Sequence, residues 1–351
     1  MSEDTPALPD DVLRYLNRIY GPDQRRYACR ATNRAEFEKW ELEARPALRR
    51  LIGLAAIRDS VGDHEPSVEF EETIEEDGYT LHKAHMETEP DVRVPFRVLR
   101  PDGDGPFPLA VMPHGHNEHG FDTYAGIWRD EAEREHIMAE DRDVGVQAVR
   151  RGFLALTVGT RGIAVGGVRD AFKNHGGSDC RAHFMHAILA GRSSIGERVW
   201  DMERFIDWAS KLDEVDPSEV LMMGNSGGGV LTLFAAACDV RVTIAVPSCS
   251  FAPYVARTGE IVHHDCNAVP GIMRFGEAWD VAGLIAPRHL LAVHGQSDAI
   301  RPNEEVDRAT EELRRIYRAA GAEENFQQAY GHAGHRFYKD LMWPFIDDAR
   351  R

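Results

Sequence analysis

The chain has 351 residues, 43% of them hydrophobic, and a formal net charge of −17 at pH 7. That acidic balance lacks the basic footprint needed by a partner such as nucleic acid or an anionic membrane, and no apolar run approaches the ~20 residues of a membrane span. The length suits one large α/β core, or a core with a modest extension. The five cysteines (Cys29, Cys180, Cys238, Cys249, Cys266) are odd in number and scattered, with no Cys-x-x-Cys. Reduced thiols are expected. The acidic, polar start, with no basic region followed by an apolar one, gives a cytoplasmic location as the default.

In chain order, Val12, Leu13, Leu16 and Tyr20, and then Phe37, Trp40, Leu48 and Leu51, recur at helical spacing. They predict a helical N-terminal extension over 1–65, packed on a catalytic domain over 66–351. Alternating runs at 68–74, 79–86 and 92–99, bounded by turn residues such as Asp77-Gly78 and Pro101-Asp102-Gly103, read as antiparallel strands. From Pro106 onward, short apolar strands at 109–112, 153–158, 220–223, 242–246 and 290–293 alternate with helices near 143–151, 196–211, 227–237, 303–319 and 337–349. The fold class is therefore α/β, with a mostly parallel central sheet and helices on both faces. Two stretches without regular pattern, 160–195 and 249–287, follow the carboxyl ends of predicted strands. Ligands bind at that edge of such sheets, so both are pocket or lid candidates, with Phe172, Phe184 and Trp128 as candidate lining residues.

Gly224-Asn225-Ser226-Gly227-Gly228 fits G-x-S-x-G, the nucleophile elbow, between an apolar strand and an apolar helix. A serine hydroxyl needs a base to take its proton and a third group to orient that base. Past the strand at 290–293, Asp298 stands where the acid belongs; Asp280 and Asp307 do not follow a strand directly. Two histidines follow glycine near the last helix, His332 and His335. His335, in Gly-His-x-Phe at the start of that helix, is the favoured base, and His332 reads as a loop residue. The oxyanion of a tetrahedral intermediate calls for two converging N–H groups. Gly227 supplies one, and His116, after the strand at 109–112, is the choice for the other. His114 reads as structural, bonding within its turn.

His114, His116 and His119 cluster in sequence, as do His263-His264-Asp265-Cys266. Adjacent donors on one segment rarely complete a metal site, and no H-E-x-x-H, Walker A or G-x-G-x-x-G pattern is present, so the reading is no metal and no cofactor.

The chain resembles α/β-hydrolases of the dienelactone-hydrolase-like and acetyl-xylan-esterase-like group. The resemblance rests on His114-Gly115-His116, Gly191-Arg192 with Gly196 and Val199-Trp200-Asp201, and Val215-Asp216-Pro217 leading into the elbow. Further on it rests on 266–271, 284–288 and Gly334-His335-Arg336-Phe337. It implies a serine esterase with Ser226 as nucleophile, Asp298 as acid, His335 as base, and oxyanion donors at His116 and Gly227. The chain departs from dienelactone hydrolases proper, whose nucleophile is cysteine, and has Thr160-Arg161-Gly162 where relatives often carry Asp-Arg-Gly. Arg192, Trp200 and Asp201 read as structural, an ion pair holding the long loop. The expected substrate is a small-molecule ester, with a homo-oligomer left open. The rival readings are an amide or peptide hydrolase of the prolyl-oligopeptidase-like type and a non-catalytic binding protein on the same scaffold.

Overall fold

The computed structural model describes residues 8–117, 119–165 and 179–351. One nine-stranded sheet runs through them: β1 (Ser67–Glu76), β2 (Tyr79–Glu89), β3 (Val92–Pro101), β4 (Phe107–Pro113), β5 (Leu154–Val158), β6 (Val215–Asn225), β7 (Ile244–Ser248), β8 (His289–Gly295) and β9 (Phe326–Gly331). The spatial order is β1-β2-β3-β5-β4-β6-β7-β8-β9. The first three strands pair antiparallel, and β3 joins β5 antiparallel. From β5 across to β9 every pairing is parallel. This is the predicted arrangement, an antiparallel lead-in to a parallel sheet.

Both faces of the sheet are covered, so the central strands are apolar throughout; β5 and β7 have no exposed residue. Successive residues still point to opposite faces. Leu109 and Val111 of β4 enter one hydrophobic cluster, while Ala110 and Met112 enter the other. The first cluster is closed by α2 (Arg34–Leu51), α3 (Leu54–Val61), α8 (Ser194–Ala209), α9 (Gly227–Cys238), α11 (Ala278–Gly283) and α12 (Asn303–Ala320). The second is closed by α4 (Gly120–Tyr124), α6 (Val144–Val149) and α13 (Lys339–Ala349). α10 (Ile272–Phe275) adds Ile272 and Phe275 to the first cluster, whereas α1 (Asp10–Tyr20), α5 (Glu131–Ala139) and α7 (Asp179–Leu189) contribute no buried residue to either.

The helical segment before β1 is part of the core. Phe37, Leu48, Ile52 and Ile57 are buried with residues of α8 and α9. Polar contacts pin it as well, with Arg45 donating to the Leu284 carbonyl at 2.8 Å and Arg49 to the Cys238 carbonyl at 3.0 Å.

The stretches expected to be irregular carry helices. α7 and the start of α8 fall within 160–195, and α10 and α11 within 249–287. α10 has four residues and α11 six, too few for a 3.6-residue period to show in sequence. α11 is set by a capping box in which Glu277 and Asp280 bond each other's backbone N–H.

The chain leaves β4 toward β5 on one side and returns as β6 on the other. Such a reversal opens a crevice past the carboxyl ends of the two flanking strands. Both the loop after β4 and the turn after β6 empty into it.

Candidate active site

Ser226 sits between β6 and α9 with φ 59° and ψ −123°, one of four non-glycine residues at positive φ among those described. Holding a serine there costs on the order of 1–3 kcal/mol, so its surroundings must fix it. Its N–H donates to the Ser248 carbonyl at 2.9 Å, and α9 starts at once, with Val230 N–H bonding back to the Ser226 carbonyl at 3.0 Å. The turn is tight enough that a Cβ on Gly228 would overlap the Pro113 carbonyl, and one on Gly224 would overlap Gly228. Glycine is required at both places by close backbone approach.

His335 follows β9, and its Nδ1 lies 2.8 Å from Asp298 Oδ2, on the loop past β8. Burial pushes the Asp298 carboxyl up, but the hydrogen bond and charge of His335 outweigh it and hold the group below the usual carboxylate range. With Nδ1 engaged, Nε2 is the nitrogen left for chemistry. It is buried and bonds no group among the described residues, Ser226 Oγ included. Ser226 and His335 line one pocket of about 130 Å³, together with His114, Gly115, His116, Asn117, Tyr124, Arg142 and Asn225. A shallower hollow of about 620 Å³, which shares His116, Asn117 and Arg142 and adds Arg129, Glu133 and His136, adjoins it.

The alternatives separate cleanly. Asp280 is a buried capping residue that also accepts from the Cys29 N–H at 2.7 Å. Asp307 accepts from Tyr330 Oη at 2.7 Å. His332 is exposed, its ring 6.3 Å edge-on to Tyr338. Cys249 lies beside Asp298 and His335, but burial, and next the Asp298 charge, push its thiol up to about 11. It stays protonated at neutral pH and is no rival nucleophile.

On the oxyanion side, Gly227 is the first residue of α9, so its N–H has no intrahelical acceptor. The His116 ring lies against Gly227, about 3.4 Å from where its Cβ would be. His114 is fully buried and structural. Its Nε2 accepts from Thr160 N–H at 2.9 Å, so Nδ1 carries the proton and donates to the Gly115 carbonyl at 2.7 Å. Burial holds this imidazole down at about 4, and neutral. Thr160 Oγ1 donates to the His114 carbonyl at 2.7 Å, so Thr160 braces the loop from behind.

Around this centre the structure adds residues that sequence reasoning missed. Arg142 donates to Asn225 Oδ1 at 3.2 Å and to the His335 carbonyl at 3.1 Å. Asp141 takes Arg336 Nη2 at 2.6 Å and tethers the same loop. The ion pair expected of Arg192 and Asp201 is wired differently. Asp201 pairs with Arg161, Arg192 pairs with Glu89 and Glu197, and Trp200 donates to the Thr88 carbonyl at 3.0 Å. Neither Trp128 nor Phe184 lines the pocket around Ser226; Phe172 lies outside the described residues.

Residues 138–275 match the model of the acetyl xylan esterase family, AXE1. A crystal structure of a putative acetyl xylan esterase from Bacteroides fragilis NCTC 9343 superposes on 98% of this chain and 86% of its own, at TM-score 0.70 and 17% identity. The chain has the α/β-hydrolase fold. A glucuronoyl esterase from Solibacter usitatus shares the α/β-hydrolase fold at TM-score 0.63 and 13% identity, over 89% of this chain and 93% of its own. In sequence, "Putative hydrolase YtaP" of Bacillus subtilis (strain 168) is 28% identical over 155 residues, 43% of this chain. The matched region spans about half, 52%, of that curated relative. No helix among the described residues is long and apolar enough to cross a membrane.

Proposed function

We propose that this α/β-hydrolase is a serine esterase that cleaves carboxylic esters, acetylated carbohydrates foremost, through an acyl-enzyme. The observation that carries the proposal is Ser226 on its strained turn, facing the same pocket as an imidazole whose far nitrogen is held by Asp298. His335 Nε2 takes the Ser226 proton as Oγ attacks the acyl carbon, and the backbone N–H groups of Gly227 and His116 receive the oxyanion. His335 then protonates the departing alcohol, and water repeats the sequence to free the acid. Asp298 keeps the proton-bearing nitrogen of His335 turned away from the serine and stabilises the charged ring. Hydrogen bonds in such sites often tighten only with substrate in place, so the open Nε2 is compatible with this role.

The acyl side is read as small because the pocket at Ser226 is about 130 Å³, while the adjoining hollow has room for a larger alcohol. The AXE1 match supports acetyl as the acyl group. A reducing, cytoplasmic setting is in keeping with five cysteines, none of which forms a disulfide.

The test is labelling with a fluorophosphonate probe, followed by turnover of acetyl, butyryl and octanoyl esters beside acetylated xylo-oligosaccharides and aminoacyl p-nitroanilides. The expected result is an adduct on Ser226, abolished in Ser226→Ala, with turnover falling as the acyl chain lengthens. Faster anilide cleavage would make the protein an amide hydrolase instead. No adduct on the wild-type serine would leave a binding protein.

A further inference from the structure

Sequence reading set aside the histidines near 114–119 and 263–266 because each run lies on one segment. The fold brings donors from three segments together: His116 from the loop after β4, Cys180 from the first turn of α7, and His264 and Cys266 from the stretch after β7. One donor atom from each of the four lies within 4.8 Å of the other three. His116 Nε2 is 3.2 Å from Cys266 Sγ, and Cys180 Sγ is 3.9 Å from His264 Nδ1. The two imidazole rings lie against each other with centroids 4.2 Å apart.

We propose that His116, Cys180, His264 and Cys266 form a tetrahedral site for a zinc ion beside the nucleophile. Metal–donor bonds of ~2.0 Å to nitrogen and ~2.3 Å to sulfur put tetrahedral donor atoms roughly 3.3–3.8 Å apart. The two measured pairs straddle that range, so the cluster needs only small side-chain adjustments to close on an ion. Two thiols and two imidazoles select a borderline-soft cation and disfavour magnesium and calcium, which prefer oxygen.

On binding, both thiols release their protons to solvent, and the two thiolates balance the cation's charge. Arg198, fully buried, sits behind Cys266 with Nη1 3.6 Å from its sulfur. That guanidinium is itself held by Asn267 Oδ1 at 3.2 Å and the Arg161 carbonyl at 2.9 Å, an outer shell that fixes the thiol. Asp265 Oδ1, 2.9 Å from His264 Nδ1, competes for that nitrogen until the metal takes it.

With four protein donors the site is closed, so its work is structural rather than Lewis-acid chemistry. It staples the His116 loop to α7 and to the 263–267 stretch. On the functional reading above, that loop carries an oxyanion donor, so the metal would hold it in register.

The test is metal analysis of full-length protein purified under reducing conditions, stripped with chelator, reloaded with zinc and dialysed. The expected result is about one zinc per chain, lost in His264→Gln and in Cys180→Ser, and a thiolate-to-metal charge-transfer band when cobalt(II) replaces zinc. His264 is exposed, so its variant tests the site without disturbing a buried residue. Zinc retained in Ser226→Ala would keep this result separate from the esterase reading. No retained metal, a cobalt spectrum without a thiolate band, or a Cys180–Cys266 disulfide in the reduced-purified protein would overturn the proposal.

Discussion

Arg142 donates from Nη2 to the main-chain carbonyl of His335 at 3.1 Å, so the guanidinium holds the backbone of the residue proposed as general base. Its Nη1 reaches Asn225 Oδ1, next to Ser226, at 3.2 Å. One side chain therefore spans the elbow and the loop after β9, which come from opposite sides of β8.

Replacing that bridge should loosen the relative placement of Ser226 and His335. Arg142→Met is expected to lower kcat roughly 10–100-fold while KM changes little, since a misplacement of about 1 Å costs that much. The check is a kcat and KM split on an acetyl ester, with the rate of fluorophosphonate labelling alongside. A variant that lost only thermal stability, with both rates intact, would reduce Arg142 to a scaffold residue.

Asp298→Asn should keep the fold and lower kcat by about 10,000-fold, because an amide at this position favours the wrong imidazole tautomer. Circular dichroism and steady-state kinetics together check this. Activity within tenfold of wild type would remove Asp298 from the mechanism.

Acid should destabilise the fold through two buried histidines. Burial holds His114 down at about 4 and His294 at about 3, while both take up a proton near 6.5 in the unfolded chain. Below pH 6.5 the unfolded state binds more protons than the folded one. Stability is therefore full above 6.5 and falls as pH drops toward the folded values, by up to about 1.4 kcal/mol per pH unit for each group. Urea midpoints at pH 7 and pH 5 measure the fall, and His294→Phe should shallow it. Equal midpoints for wild type at the two pH values would contradict the argument.

The helical segment before β1 should matter to stability and not to chemistry. Leu48→Ala, at a fully buried position in α2, is expected to cost about 2–5 kcal/mol, with kcat of the folded fraction unchanged. Denaturant titration with activity measured at low denaturant distinguishes the two. A cost under 0.5 kcal/mol would mean that the extension is only loosely attached.

Much of this was legible from sequence because the signals are local. The positions of Ser226 and Asp298 follow from short apolar runs ending in a turn, and His335 from a glycine-bounded loop before the last helix. The short helices α10 and α11 were hidden because a turn or two of helix has no readable period. Arg142 was missed because it stands on a plain loop before α6, and its contacts at the site, beyond a local pair with Glu140, are 83 and 193 residues away. The grouping of His116, Cys180, His264 and Cys266 was missed for the same reason: no spacing within one segment announces a meeting of three. Thr160, noted as a departure from related sequences, proved to be the brace for His114, a role that only the register of β4 beside β5 reveals.

Every residue of α9, from Gly227 to Cys238, is buried. Attempts to redesign what this protein accepts should therefore leave that helix alone, since any change there repacks the interior before it reaches a ligand. Libraries aimed at 116–142 and 263–267 would alter the rim of the crevice while sparing its foundation.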